Sequence, residues 1–191
     1  IELQRGDTAA AKTAFSNTLA AWPFSDVALD AARQLSALPR LTARQHLEIG
    51  RIYLRFGNAT RGRDGLVRYL KASGIDADTA QRVRYELGRS NFDSDRYTEA
   101  VRILSQVTAT NSIGAEAMLL KGRAQYRSDK QSAGRATFAK VVEQFPGTDA
   151  ATRALFMLGD LYHDDLEYDR ALEHFKRAAA VGGTSESAGV A

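Results

Sequence analysis

Four glycines, Gly50, Gly88, Gly122 and Gly159, recur at intervals of 38, 34 and 37 residues with matching companions, and this recurrence constrains the chain more than any other feature. The last unit, Ala154–Ala179, is the clearest. Leu155, Leu158, Gly159 and Tyr162 share one face of a helix at 3.6 residues per turn, and Ala171, Phe175 and Ala178 share a face of a second helix beyond a tight bend. Gly159 removes a side chain where the two helices cross, and Ala171 does the same from the other side. Phe175 and Tyr162 fill the space beside them.

The earlier units repeat the scheme. Gly122 has Met118 before it, Phe138 sixteen residues after it and Pro146 closing the unit. Gly88 is followed by Ala100, Leu104 and Val107. Gly50 has Ile49 and Tyr53 beside it, but its second helix fits only with three residues inserted in the bend around Asn58–Arg61, which puts Gly65, Tyr69 and Ala72 in the small–large–small places. Ala11, Phe15, Thr18 and Pro23 read as the second helix of a still earlier unit. Large apolar, Leu, Gly, Tyr, then Ala, Phe, Ala at a period near 34 resembles the tetratricopeptide repeat. The fold expected from this is all-α, a right-handed superhelical solenoid of TPR-like helix hairpins.

In chain order, Asp7 is expected to cap a helix over Thr8–Ala21, after a bend at Leu3–Gly6. Ser25 or Asp26 caps the next, with Val27, Ala31 and Leu35 on its buried face, and Pro39 ends it. Residues 1–40 thus form irregular N-terminal helices. Residues 41–183 hold four pairs, about 42–56 with 62–73, 77–92 with 96–109, 112–128 with 131–145, and 149–164 with 168–181. Gly182-Gly183 is expected to stop the last helix, and 184–191 to begin a further repeat or tail. Neither end carries the polar face of a capping repeat, so a longer array or covering partners are expected.

Composition narrows the chemistry. There is no cysteine, which excludes disulfides and thiolate metal sites. No run approaches the roughly 18 apolar residues that span a bilayer. The chain opens on Ile1, which leaves room for a removed upstream targeting segment. A net charge of +3 gives no case for nucleic acid. The distribution is polar, however: residues 40–71 carry eight basic and two acidic side chains, net +6, whereas 149–191 carry four and eight, net −4. Such polarity can order neighbours in an assembly or simply solvate helix faces.

In a repeat of this kind the first helices of successive pairs line a concave groove. One residue after the glycines stand Arg51, Arg89 and Arg123, and six before them Arg44, Arg82 and Arg153. Arg55 and Arg127 lie five after, with Tyr85, Phe92, Tyr126 and Phe156 interleaved. Guanidinium forks among aromatic faces suit an extended peptide, a carboxylate terminus or an acidic glycan. The plainer reading is that these arginines pair with acids of the next repeat. His163, Asp164, Asp165, Glu167 and Asp169 cluster at one bend, but their spacing fits no calcium loop, so a solvated bend is expected and no metal or other cofactor. His46 sits at a packing position of its helix and is expected in the core or half-buried. Trp22 and Phe24, beside Pro23, are expected to wedge between consecutive helices. No pair of carboxylates or nucleophile–base set stands out, and no catalytic residue is assigned.

The segment FPGTDAATRALFMLGDLYHDDLEYDRALEHFKRAA, with LLKGRAQYRSDKQSAGRATFAKVVEQ before it, resembles helical repeats of bacterial cell-envelope proteins, in particular the N-terminal α-superhelix of soluble lytic murein transglycosylases. WPFSDVALDAARQL followed by LTARQHLEIGRIYLRFG is similar to that region too. The resemblance implies a non-catalytic helical part, since the family's Glu-Ser and Gly-Leu-Met-Gln motifs belong to a separate lysozyme-like domain and have no supported counterpart here. It further implies a bacterial periplasm or cell-envelope location and contact with peptidoglycan glycan strands. The alternative is an adaptor of a cell-envelope complex that binds a protein or peptide partner in its groove.

Overall fold

The structure, a computed structural model, describes residues 7–187, with side chains described through 181. Among these residues there are ten helices and no strand: α1 (Thr8–Ala21), α2 (Asp26–Ser36), α3 (Ala43–Arg55), α4 (Ala59–Lys71), α5 (Ala77–Phe92), α6 (Tyr97–Leu104), α7 (Ser112–Arg127), α8 (Gln131–Gln144), α9 (Asp149–Asp164) and α10 (Tyr168–Ser187). The all-α expectation holds. Two compact units divide within α5, at Ile1–Val83 and Arg84–Ala191.

In the first unit, Asp7 and Ser25 cap α1 and α2 by accepting from the backbone N–H of Ala10 and Ala28. Thr42 and Gln45 close a reciprocal capping box on α3. Leu19, Ala28, Ala31, Ala32 and Leu35 share one core with Ile49, Ile52 and Tyr53, so the irregular helices pack directly on the first regular pair. Two expectations fail here. Val27 is 58% exposed, and Ala28 takes the buried place beside Ala31 and Leu35. Trp22 and Phe24 are 61% and 79% exposed and wedge between nothing in this unit, because the turn at α1–α2 throws both rings outward.

The inserted residues near Asn58–Arg61 are not needed. Ala59, Tyr97, Gln131 and Tyr168 each begin a second helix nine residues after the crossing glycine. The residue seven after the glycine is left-handed in all four bends: Gly57 (φ 77°), Asp95 (56°), Asp129 (59°) and Leu166 (63°). The next residue's N–H reaches back to a carbonyl of the first helix's last turn, Asn58 to Tyr53, Arg96 to Asn91, Lys130 to Gln125 and Glu167 to Tyr162, at 2.8–3.0 Å. This is the Schellman closure that satisfies carbonyls left open at a helix end.

The misplaced insertion has a physical origin in Gly65. A Cβ built on Gly88 or Gly122 would meet a side chain, Leu104 at 2.5 Å or Phe138 at 2.6 Å; on Gly159 it would meet Phe175. A Cβ on Gly65 would lie 2.6 Å from the Cα of Gly50 and 2.7 Å from the carbonyl oxygen of His46. The α3/α4 pair therefore crosses backbone on backbone, and Gly65 serves that contact. Gly62, twelve residues after Gly50, occupies the place held by Ala100, Gly134 and Ala171 in the other pairs.

In the second unit, Ala100 and Leu104 of α6 pack with Ala117, Leu120 and Ala124 of α7. Phe138 and Val141 of α8 and Phe145 at its C-cap pack with Leu119 of α7 and with Ala150, Ala154 and Leu158 of α9. In this unit α6 and α8 are thus covered by the first helix of the next pair, the stacking logic of a helical repeat. α10 does not stop at Gly182-Gly183 but continues through them to Ser187. Residues 1–6 and 188–191, which include the expected bend at Leu3–Gly6 and the end of the expected further repeat, lie outside the described residues.

Candidate functional site

The second unit gathers five of the twelve side chains singled out from the sequence. Tyr85, Arg89 and Phe92 of α5, Arg123 of α7 and Arg153 of α9 line one concavity of about 270 Å³. Its floor includes Leu119 and Leu120, and Asp93 and Glu116 complete it. The three first helices supply side chains to one place because their crossing faces point to α6, α8 and α10, leaving the opposite stripe open at one-turn intervals.

The charges inside are partly matched. Arg153 pairs with Glu116, a link between equivalent positions of consecutive repeats, six residues before Gly159 and Gly122. Arg89 stands 3.7 Å from Asp93, the residue just past the end of its helix, within ion-pair range but beyond a hydrogen bond. Arg123 makes no ion pair among the described residues. Its guanidinium lies 5.1 Å from the centroid of Phe92, which in turn meets Tyr97 edge-on at 5.4 Å. Three cations against two carboxylates leave one positive charge in surplus. Burial, and then the Glu116 carboxylate, push the Tyr85 phenol above its ordinary value, so it remains a neutral hydrogen-bond donor near pH 7.

The other candidates are placed differently. Arg44 bonds Glu48 one turn along α3, at 2.8 Å. Arg55 donates to the Pro23 carbonyl at 2.7 Å and stacks 4.3 Å over Phe24, which fastens the α1–α2 turn to α3. Arg51 and Arg55 line a shallower hollow of about 140 Å³ with Leu19, Pro23 and Glu48. Arg82 and Arg127 are exposed. Tyr126 packs against the core of α7, α8 and α9, so its ring serves the fold. Phe156 is 47% exposed, its ring centroid 6.2 Å from that of Phe175.

Glu116 stands six residues before Gly122, where the other three units carry arginine. Its acid is the partner of an arginine one repeat on, and no local spacing signals that. A larger hollow of about 570 Å³ lies among α8, α9 and α10 and was not anticipated. There Arg135 bonds Asp165 and faces Tyr162 at 4.9 Å, and Tyr162 stacks on His174 at 5.2 Å with rings 2° from parallel. Burial first, and then Arg177, hold the His174 imidazole below its ordinary value. With Asp165 on Arg135 and Glu167 on Arg170 at 2.8 Å, two of the acids at this bend have arginine partners. His46 is half-buried as expected, its pKa lowered by burial and then by Arg68.

Comparison with known proteins places this geometry. The family model described as Tetratricopeptide repeat matches residues 85–149 and 132–186, together more than half of the chain. No curated protein matches the sequence. Among solved structures, one described as a crystal structure of MamA protein superposes with a TM-score of 0.74 at 20% identity, covering 95% of this chain and 97% of that one. MamA 41-end from Desulfovibrio magneticus RS-1 gives 0.72 at 17% identity over 91% and 96%. A further crystal structure of MamA gives 0.68 at 23% identity over 95% and 96%. At these identities the likeness is one of fold. The resemblance to the murein transglycosylase helical region gains no support from these matches.

Proposed function

Because the chain belongs to the tetratricopeptide repeat family, we propose that it is a non-catalytic adaptor that grips an extended segment of a partner protein in the concavity of its second unit. The observation that carries this is the convergence of Tyr85, Phe92 and Arg123 on one hollow whose own acids leave a guanidinium unmatched. A carboxylate is the complement of that surplus charge, and Phe92 and Leu120 offer apolar surface beside it. The ligand class that fits is a peptide bearing one acidic group next to an apolar or aromatic residue. Arg89 and Arg153, already facing Asp93 and Glu116, orient the approach more than they add charge.

A cell-envelope complex is the proposed setting, and it rests on the sequence resemblance to envelope helical repeats. No described helix is long and apolar enough to cross a membrane. Peptidoglycan as a ligand, and a murein transglycosylase parent, are supported only by that same resemblance, and the adaptor reading stands ahead of them. The test is selection of displayed ten-residue peptides on the chain, counter-selected on Arg123→Ala/Phe92→Ala. Enrichment of acidic–apolar sequences that bind the double variant at least about tenfold more weakly is expected. Equal binding to both proteins, or retention by insoluble peptidoglycan but by no peptide, overturns it.

A further inference from the structure

The concavity of Arg123 does not end at its own rim. Glu116 and Arg153 also line a second hollow, of about 480 Å³, together with Asp149 and Thr152 in the first turn of α9. The Arg153–Glu116 bridge is thus the divide between two hollows that share it. On α7, Glu116, Leu119, Leu120 and Arg123 follow at i, i+3, i+4 and i+7, one face of the helix. Asp149 and Arg153 stand one turn apart on α9. α8 returns the chain between α7 and α9, so these two helices run in the same sense and the hollows follow one another along them.

Six charged side chains line the two hollows, Arg89, Arg123 and Arg153 against Asp93, Glu116 and Asp149. Arg153 is bound to Glu116, and Arg89 stands against Asp93. Two charges are left without an ionic partner among the described residues, and they are opposite in sign: Arg123 in the first hollow and Asp149 in the second. Asp149 is exposed, and the capping bond from the Ala151 N–H goes to Thr148 instead. An acid in this turn also suits the positive end of α9. That attraction does not use up the carboxylate, whose two oxygens offer about four acceptor sites.

The separation of the two charges sets a length. Arg123 lies seven residues beyond Glu116, and Asp149 four before its partner Arg153. Eleven residues of helical rise amount to about 16 Å, which an extended chain covers in about five residues.

We infer that the segment gripped here is bipolar: its acidic group meets Arg123, and a lysine or arginine about five residues away meets Asp149. This deepens the adaptor reading and rests on it. The bridge between the hollows selects no charge, because its two ends already satisfy each other. The unmatched pair fixes which way the segment lies, since a reversed segment sets like charges against each other at both ends.

The test is selection of displayed ten-residue peptides on the chain and, in parallel, on Asp149→Asn, whose helicity is checked by circular dichroism. On the wild type, the enriched acidic–apolar sequences are expected to carry Lys or Arg about four to six residues from the acid. On Asp149→Asn they should keep the acid and lose the base. For one selected peptide, replacing its base by alanine should weaken binding about three- to fivefold on the wild type, by fluorescence anisotropy in about 0.05 M NaCl, and leave it unchanged on Asp149→Asn. Acidic–apolar peptides that need Arg123 but carry no base at that spacing overturn this inference and leave the adaptor reading standing. So does a base whose loss costs the same on both proteins. Selection of no peptide at all overturns both.

Discussion

Replacing Gly65 by alanine asks the most of the packing. The new Cβ would sit 2.6 Å from Gly50 Cα, 2.7 Å from the His46 oxygen and 2.8 Å from Gly50 N, all backbone atoms. No rotamer change relieves such a clash, so α3 and α4 must separate. Restoring an ordinary carbon contact of about 3.6 Å means an opening of about 1 Å, and a gap of that size forfeits up to about half of each dispersion contact across the seam. Leu66 and Tyr69, both buried, lie along that seam. Overpacking of this kind costs about 1–3 kcal/mol, and the upper end applies because the obstacle is main chain. Alanine's helix propensity returns about 1 kcal/mol. The net expectation is a loss of roughly 2 kcal/mol, or about 4–8 °C in Tm for a chain of this size. The assay is thermal and urea unfolding followed by far-ultraviolet circular dichroism. Gly50→Ala, whose Cβ meets Gly62 O at 2.9 Å and Leu66 N at 3.0 Å, should lose less. If Gly65→Ala unfolds at or above the wild-type temperature, the backbone-on-backbone crossing is wrong.

Leu166 carries the left-handed backbone that glycine or aspartate carries in the other bends, with its side chain 71% exposed. Leu166→Gly should therefore stabilise by about 0.5–1 kcal/mol in urea unfolding, whereas Gly57→Ala should destabilise by about 1 kcal/mol. Thr42→Ala removes one arm of the α3 capping box and should cost about 1 kcal/mol by the same assay. His46 and His174 have folded pKa values below the unfolded value near 6.5. The unfolded chain takes up their protons first, so their contribution is complete above that value and is lost as pH falls from it toward the folded pKa values. The urea midpoint should drop between about pH 7.5 and about pH 5, and His46→Gln/His174→Gln should flatten that slope.

Much of the fold was legible because one residue class, the small side chain at a crossing, has to recur wherever rods nest. The helix boundaries around Asp7 and Ser25 followed from capping chemistry that is local in sequence. What escaped was non-local or conformational. Gly65 imitated the small residue of the second helix, a place that Gly62 holds, whereas its neighbour across the seam is Gly50, and only coordinates separate the two roles. Val27 and Ala28 differ by one step around a helix, and periodicity over eleven residues cannot choose between them. For the candidate site, the aromatic–arginine stripe was visible, but which members meet was not. Arg55 turned toward Pro23 and Phe24, and Tyr126 toward the core, because neighbouring elements offered partners that no spacing encodes.

The four bends between paired helices have one length and one backbone shape, with the left-handed residue always seventh after the glycine. The unequal glycine intervals then arise mainly in the second helices and in the links returning to the next pair, where Gly74 and Gly147 also turn left-handed. Insertions and deletions have one margin of the molecule open to them and the other closed. A peptide tag or fluorescent label grafted beside Gly74 or Gly147 would lengthen a connection that already varies, whereas one residue added between Gly122 and Arg127 would turn the remainder of α7 by about 100° around its axis.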